Sequence, residues 1–277
     1  MENKPRKTSL ATLRKWISVQ DWFAMIGSYC MDFFSDMGGI GIMFWRTNLS
    51  LLRVPIRMKE TMEQMYKIGV ASLPLVSLTS LFTGMVLALQ SAYQLQIFSA
   101  IQFTSDLVTL SIIRELGPVL TAMVVAGRVG ASIAAELGTM KVTEQIDALK
   151  SLATDPIHYL VAPRYVASFF MLFLLTIYAD VIGVLGGYAV AIFKLGMSPH
   201  QFMRRAIDIL VMKDLVTGLM KAFAFGIVIA MVGCFYGFNA EGGAEGVGLA
   251  TTRAVVVSMI MIIVLDCFFT GLFYFLF

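Results

Sequence analysis

The sequence predicts an all-α, polytopic membrane protein, and three observations support this fold class. Hydrophobic residues make up 58% of the 277 residues and charged residues 14%, whereas soluble domains are about 45–50% apolar and about 25% charged. The mean hydropathy is +0.80. No charged residue occurs between Lys67 and Asp106, and a helix crosses a bilayer with about 20 apolar residues. A soluble core of this length could not bury so much apolar surface.

About five membrane-spanning helices are predicted from the apolar runs. They cover residues 68–92, 108–134, 165–193, 215–238 and 254 to the end. The more polar segment 95–105 is predicted to connect the first two spans. The segment 194–214 is predicted to hold a short amphipathic helix that begins at Ser198-Pro199. The glycine-rich segment 239–252 is predicted to be a loop.

The first 60 residues are predicted to form a region on the membrane surface, separate from a domain over residues 61–277. Ten of the 21 Lys and Arg residues fall within residues 1–67. Apolar and aromatic residues from Trp22 to Phe34 recur at near-helical spacing, which indicates an interfacial helix. The basic excess predicts a cytoplasmic N-terminus. The four basic residues of 194–214 argue for the opposite orientation, but the N-terminal excess is larger.

A charged segment between the second and third spans carries the clearest functional signal. From Glu136 to Pro156 it reads ELGTMKVTEQIDALKSLATDP. Thr143 is the predicted N-cap of a short amphipathic helix that ends at Asp155-Pro156. Its apolar face would contain Val142, Ile146, Leu149 and Ala153. Such a helix either connects two spans or docks a soluble partner, and the pattern alone leaves both open.

Six charged residues fall within the predicted spans: Arg114, Glu115, Arg128, Asp180, Lys221 and Asp266. A charge at the bilayer centre costs at least about 2.5–3.5 kcal/mol on insertion scales, so each of these side chains is expected to face a cavity or an opposite charge. The alternative is that some lie near span ends and reach the headgroups. Glycine pairs at 183 and 187 and at 233 and 237 have the spacing that permits close helix packing.

Residues 114–149, RELGPVLTAMVVAGRVGASIAAELGTMKVTEQIDAL, resemble the core signature of the MlaE family of permeases. The resemblance continues through ATDPIHYLVAPRYVA at 153–167 and ATTRAVV at 250–256, and covers residues 60–277. Members of this family are membrane subunits of ABC transporters that move phospholipid with MCE-domain partners. The resemblance therefore implies a permease subunit in a bacterial inner membrane.

The resemblance also implies partners and site residues. It implies a homodimer, two cytoplasmic ATPase subunits that bind the ATP, an MCE-domain protein outside and often a STAS-domain protein inside; this chain itself would bind no cofactor. The segment matching 139–155 would be the coupling helix, and its candidate contact residues are Glu144, Gln145, Asp147 and Leu149. The lipid would lie between the two permease copies. Leu78, Phe82 and Met85 of the first span are predicted to line that pocket, although any lipid-facing helix shows a similar apolar surface.

If the chain is a transporter subunit, as the resemblance implies, the charges inside the spans are expected to have a role in the transport cycle. We hypothesise that Glu115, Lys221 and Asp266, with Arg114 beside them, form a buried polar network whose rearrangement accompanies transport. Lys221 and Asp266 lie in the last two spans and are expected to pair across them. Arg114 and Glu115 point about 100° apart on a helix, so they are expected to face different neighbours.

The sequence contains no motor and no catalytic constellation. No G-x-x-x-x-G-K-[ST] motif occurs, and the scattered Cys and His residues predict neither a metal site nor a catalytic residue. Nothing indicates nucleic-acid binding. Two alternatives stay open, namely an ion-coupled secondary transporter with Glu115 and Asp266 as proton sites, and a membrane anchor for a partner complex. The lack of an internal repeat disfavours the first, and the in-span charges disfavour the second.

Overall fold

The computed structural model describes residues 19–53, 55 and 57–276, and every regular element in these ranges is helical. The chain divides into two units, residues 1–42 and residues 43–277. Helix α1 covers Val19–Arg53. The basic residues before Val19, on which the predicted orientation largely depends, lie outside the described residues. The interfacial placement of residues 1–60 stays a prediction.

Five helical segments of the described chain are long and apolar enough to cross a membrane, which confirms the all-α polytopic fold class. These spans are Met58–Gln96, Ile101–Val142, Ile157–Phe193, Met212–Phe238 and Gly243–Phe275. Each begins before the predicted residue, because polar residues continue the helices beyond the apolar runs from which the spans were predicted.

The first span consists of two helices joined at a kink. Helix α2 (Met58–Ile68) carries all the charged residues of this span, and helix α3 (Leu73–Gln96) is uncharged and largely apolar. A short 3₁₀ turn, Val70–Ser72, separates them. Gly69 lies at the kink, where a Cβ would overlap the side chain of Met171. The third span can therefore approach the first closely at this point.

The second span contains two wider, π-helical turns. Helices α4 (Thr104–Ser111), α5 (Gly117–Val125) and α6 (Ala131–Val142) follow one another along it. The π turns between them are Ile112–Leu116 and Ala126–Gly130. Such turns are rare and are often found at functional sites. The first overlaps the start of the family signature at residues 114–149, and the second lies within it.

The last three spans are formed mainly by three long helices. They are α8 (Ala162–Phe193), preceded by the π turn Ile157–Val161, α10 (Met212–Phe238) and α11 (Gly243–Leu276). Helix α9 (Pro199–Asp208) begins directly after Ser198, which confirms the predicted helix start. Helix α8 packs against α3 and α10, and α10 also packs against α6 and α11.

Small residues allow these helices to approach closely. A Cβ on Gly84 of α3 would overlap the carbonyl oxygen of Gly183 on α8, and one on Gly186 would overlap the carbonyl oxygen of Leu81. A Cβ on Gly237 of α10 would lie 2.7 Å from Cβ of Leu137 on α6. Both predicted glycine pairs therefore contribute to packing within the described chain.

The predicted loop 239–252 is wrong for most of its length. Helix α11 begins at Gly243, so only residues 239–242 lie between α10 and α11. Gly242 and Gly243 have φ values of +88° and +71° and form the turn, a conformation that glycine adopts readily. A Cβ on Gly246 would overlap the carbonyl oxygen of Glu241. These glycines permit a tight turn and a close approach, and they do not prevent a helix from forming directly after the turn.

Candidate functional site

The segment predicted as one helix over 139–155 is divided between two helices. Helix α6 continues to Val142, and a separate helix α7 covers Gln145–Ser151. Thr143 is not the N-cap of α7, because it ends α6 and donates its hydroxyl to the carbonyl of Thr139 at 2.8 Å. Glu144 precedes α7 with a left-handed φ of +60°, which interrupts the helical backbone between α6 and α7.

The end of α7 also differs from the prediction. The helix stops at Ser151, and Asp155 accepts a hydrogen bond from the backbone N–H of Ile157 at 3.0 Å. The carboxylate therefore caps the start of the third span, where it satisfies a backbone donor that has no helical partner. Ala153, predicted on the apolar face of α7, is exposed and lies outside the helix.

Helix α7 is anchored by one apolar side chain and one carboxylate. Ile146 is buried, and α7 packs against α6. Asp147 accepts hydrogen bonds from Lys150 at 2.8 Å and from Lys141 of α6 at 3.1 Å. These hydrogen bonds, first that from Lys150 and then that from Lys141, hold the pKa of Asp147 below its ordinary value. The Lys141 contact ties the position of α7 to the end of the second span.

The other candidate coupling residues remain accessible on α7. Glu144 and Gln145 are exposed and Leu149 is half-buried. Leu152, directly after the helix, is 74% exposed. Sequence reasoning missed Leu152 because it does not share the predicted apolar face. An exposed patch of polar and apolar side chains on a short, anchored helix is a surface that a soluble partner can contact.

The structure brings Glu115, Lys221 and Asp266 together, but only the lysine is fully buried, since the side chains of Glu115 and Asp266 are 41% and 23% exposed. The Lys221 side chain is 2% exposed, and its Nζ lies 2.6 Å from Glu115 Oε2 and 2.9 Å from Asp266 Oδ1. Lys221 Nζ and Asp266 Oδ1 are close enough to form an ion pair, but the contact does not have the geometry of a hydrogen bond. Lys221 also donates to Thr270 Oγ1 at 2.7 Å, and Thr270 donates to Glu115 Oε1 at 3.1 Å. We call these four residues the Lys221 cluster; it links the second, fourth and fifth spans.

A proline helps to explain how Lys221 is held. Pro118 has no N–H, so it cannot bond to the carbonyl of Arg114 four residues earlier. That carbonyl instead accepts a hydrogen bond from Lys221 Nζ at 3.3 Å. On the facing helix, a Cβ on Gly218 would overlap the carbonyl oxygen of Ile113. The π turn before Pro118 and the glycine of α10 thus bring the backbone and the buried ammonium into contact.

The side chain of Arg114 does not join the Lys221 cluster, contrary to its assignment there from sequence. Its Nε donates to Asp214 Oδ1 at 2.8 Å, near the start of α10. The two adjacent charges therefore face different neighbours, as their helical spacing predicts. Asp180 is also separate: its Oδ1 lies against Gly117 and has no hydrogen-bond partner among the described residues.

A second charged group lies at the end of the bundle that carries α7. Arg164 is 4% exposed, donates to the carbonyl of Leu160 at 2.7 Å and pairs with Glu136 at 2.8 Å. Lys67 lies 3.9 Å from the other oxygen of Glu136. Sequence reasoning missed this group, because Glu136 and Arg164 lie just outside the predicted spans. The family motif around each residue was the available signal.

The three predicted lipid-contacting residues of α3 differ in exposure. Leu78 is 55% and Phe82 53% exposed, and they lie one turn apart on the same face. Met85 is partly buried and packs against the apolar cluster formed by Ala88, Val108, Ile112 and Val190. Leu78 and Phe82 are therefore available to a lipid or to another chain, whereas Met85 mainly supports α3 from within.

A bundle of five apolar helices with an anchored surface helix and ion pairs between its spans is the architecture of a polytopic membrane protein. Residues 61–272 match the model of the family described as Permease MlaE. The chain belongs to the MlaE permease family, whose members are ABC transporter subunits.

Individual relatives cover nearly all of the chain. It is 44% identical over 248 residues to a probable ABC transporter permease protein of Rickettsia typhi, covering 90% of this chain and 96% of that protein. It is 34% identical over 257 residues to the intermembrane phospholipid transport system permease protein MlaE of Haemophilus influenzae, covering 92% and 98%. It is 36% identical over 226 residues to the chloroplastic protein TRIGALACTOSYLDIACYLGLYCEROL 1 of Arabidopsis thaliana, covering 82% and 65%.

Proposed function

We propose that this permease moves phospholipid between membranes, driven by ATP hydrolysis on a separate subunit. The observation that carries the proposal is the similarity to the Haemophilus influenzae intermembrane phospholipid transport permease, which extends over 92% of this chain. The exposed apolar face of α3 and the ionic contacts that cross three spans are consistent with a protein that handles an amphipathic substrate and changes conformation.

The proposed assembly is a homodimer with two cytoplasmic ATPase subunits, an MCE-domain protein on the far side and a STAS-domain protein where one is present. In this arrangement α7 contacts the ATPase, through Glu144, Gln145, Asp147 and Leu149, and the N-terminus lies in the cytoplasm of a bacterial inner membrane. The ATP binds to the ATPase subunits and not to this chain. The anchoring of α7 by Ile146 and Asp147 supports this role, because a rigid contact transmits movement into the second span.

The Lys221 cluster would serve as a contact that changes during the cycle. Its ion pairs join three separate spans, so a relative movement of those spans must stretch or exchange them. An unpaired charge inside a membrane is costly. The ion pairs therefore stabilise the conformation in which they form, and the spans can move apart only when each charge finds another group to pair with. Both carboxylates of the alternative proton-coupled mechanism are already paired to Lys221, so the geometry does not favour that mechanism.

Reconstitution of the full complex tests the proposal. The chain and its co-purifying ATPase would be placed in donor liposomes with fluorescent phospholipid, and transfer to acceptor liposomes would be followed with ATP, with a non-hydrolysable ATP analogue and with a proton gradient alone. ATP-dependent transfer is the expected result. Transfer driven by the proton gradient without ATP would overturn the proposal in favour of ion coupling, and ATP hydrolysis without any lipid transfer would also overturn it.

A further inference from the structure

A pocket of about 220 Å³ lies at the kink between α2 and α3, facing the start of α6. We propose that this pocket, which we call the kink pocket, binds the phosphate-bearing headgroup of a phospholipid from the leaflet on the α7 side. The inference rests on the proposed lipid transport, to which it adds a specific headgroup site. Its polar lining consists of Gln64, Tyr66, Lys67, Arg128, Ser132 and Glu136.

The position of the kink pocket along the spans corresponds to a membrane boundary. Lys67 is the last charged residue before a stretch without charge that ends at Asp106. The pocket is lined by Lys67 and also by Ile68 and Ala71, which belong to the uncharged stretch. It therefore crosses from a polar layer to an apolar layer, which is where the phosphate and glycerol of a phospholipid lie.

Arg128 is the cation that this pocket leaves without a counter-charge. It is exposed, and its Nη1 donates to Ser72 Oγ at 2.7 Å and to the carbonyl of Lys67 at 3.3 Å. No carboxylate lies within ion-pair distance of Arg128 among the residues that the structure describes. A guanidinium has five N–H donors in a planar fork that matches phosphate oxygens. The contacts with Ser72 and Lys67 fix its position and use only one of its nitrogens.

The charges around the pocket sum to a single positive charge. Lys67 pairs with Glu63 at 3.0 Å and Arg164 pairs with Glu136 at 2.8 Å, which leaves Arg128 in excess. A phosphodiester carries one negative charge and would neutralise it. Basic pockets between membrane helices bind anionic headgroups by the same electrostatic principle.

The rest of the lining indicates a lipid as the source of the phosphate. Ile68, Ala71, Val129 and Ile133 form an apolar wall beside the polar groups. An inorganic phosphate ion gains nothing from that wall, whereas the glycerol and first methylenes of a phospholipid bury apolar surface against it. The pocket is thus amphipathic in the same sense as its proposed ligand.

Lipid retention by the full-length chain with its co-purifying partners tests the site. The probe is phosphatidylglycerol in micelles of dodecyl maltoside, a detergent without phosphate, and native mass spectrometry counts the lipids retained as the phosphatidylglycerol concentration rises. Arg128→Gln should weaken retention of one phosphatidylglycerol about tenfold, because a charge-assisted contact is lost. Arg204→Gln, at an exposed arginine outside the pocket, should leave retention unchanged.

A second pair of variants tests the pocket without changing Arg128, whose hydrogen bonds to Ser72 and Lys67 could also affect folding. Ala71→Trp fills the apolar part of the pocket and should also reduce retention, whereas Val70→Trp, at the neighbouring exposed residue that does not line the pocket, should not. Equal retention by Ala71→Trp and Val70→Trp would overturn the proposal. Displacement of the lipid by millimolar inorganic phosphate would also overturn it, in favour of a free-phosphate site.

The assay contains no ATP, so its outcome is separate from the transport experiment. Lipid retention that depends on Arg128 and Ala71 would establish the site even if ATP-driven transfer failed. If the wild-type complex transfers lipid with ATP, but Arg128→Gln and Ala71→Trp retain as much lipid as the wild type, the proposed function stands and only the headgroup site is removed.

Discussion

The ammonium group of Lys221 lies 2.6 Å from the carboxylate of Glu115, although the two residues are 106 positions apart and the lysine side chain is 2% exposed. This contact joins the fourth span to the π turn of the second. Burial of an unpaired charge is strongly unfavourable, so the two side chains depend on each other. The relationship makes Lys221 the residue whose replacement should be most informative.

Replacement of Lys221 by methionine should destabilise the chain by about 3 kcal/mol, the lower end of the range for a broken buried pair, because Glu115 and Asp266 would lose their partner but are themselves only partly buried. The measurement is SDS-induced unfolding in mixed micelles, alongside ATP-driven lipid transfer. Arg204→Ala, at an exposed pair with Asp208, should change the free energy of unfolding by no more than about 1 kcal/mol.

A neutral version of the cluster separates stability from function. Combining Lys221→Met with Glu115→Gln and Asp266→Asn removes all three charges and should recover most of the lost stability. Transport should remain impaired if the ion pairs rearrange during the cycle. Full transport by this triple variant would contradict the proposed role and leave the cluster with a purely structural one.

Close packing of α3 against α8 should make Gly84 intolerant of a side chain. In Gly84→Ala the new methyl group overlaps the Gly183 carbonyl oxygen, so the helices must separate, at a cost of about 3 kcal/mol. Gly271→Ala is the matched control, because nothing lies within 4 Å of its Cβ position; it should be neutral or stabilise α11 by up to about 1 kcal/mol. Equal unfolding midpoints for both variants would contradict the packing described for this contact.

Asp147 should couple α7 to the second span over the whole physiological pH range. Its pKa is lowered below the ordinary 3.8 by hydrogen bonds from Lys150 and Lys141, so the stabilising ionised form is present above that value and is lost only as the pH falls through the lower folded pKa. ATPase stimulation by the permease should therefore show no pH dependence from this group between about pH 5 and 8.

Asp147→Asn should reduce that ATPase stimulation at every pH, because a neutral amide binds the two lysines more weakly. Lys150→Gln removes only the contact within α7, whereas Lys141→Gln removes the contact to α6, so the second should have the larger effect. If Lys141→Gln and Lys150→Gln behaved alike, the link between α7 and α6 would have no special role.

The exposed face of α3 should label bound phospholipid. A photocrosslinker at Leu78 or Phe82 is expected to capture a lipid that co-purifies with the complex, since both side chains are more than half exposed. At Met85, which packs inward, labelling should be weaker. Leu174 on α8 is 50% exposed and serves as a control for lipid that merely surrounds the protein. Labelling at Leu174 equal to that at Phe82 after delipidation would argue against a specific pocket on α3.

The start of α11 and the break between α6 and α7 could not be predicted from the sequence. The residues 239–252 resemble a loop because their glycines are unfavourable in helices, yet Gly243 onward is helical. There the glycines permit a close approach to Glu241 that only the folded turn reveals. Likewise the single helix predicted over 139–155 is broken by Glu144 in a left-handed conformation, which local propensity does not favour. In both cases the backbone of the folded chain departs from the local preference.

The all-α membrane fold, its five spans, the family and the presence of costly charges inside the spans could all be predicted from the sequence. Those properties depend on composition, run length and motif, which are local along the chain. The network of Glu115, Lys221 and Asp266 could be hypothesised from the sequence, but its distances, the part of Thr270 in it and the turn of Arg114 towards Asp214 became visible only in the folded chain. Each π turn adds a residue to a helical turn and so rotates the next part of the helix by about 100°. The partner of a buried charge depends on that rotation and on the packing of distant helices, and neither is a property of any one segment.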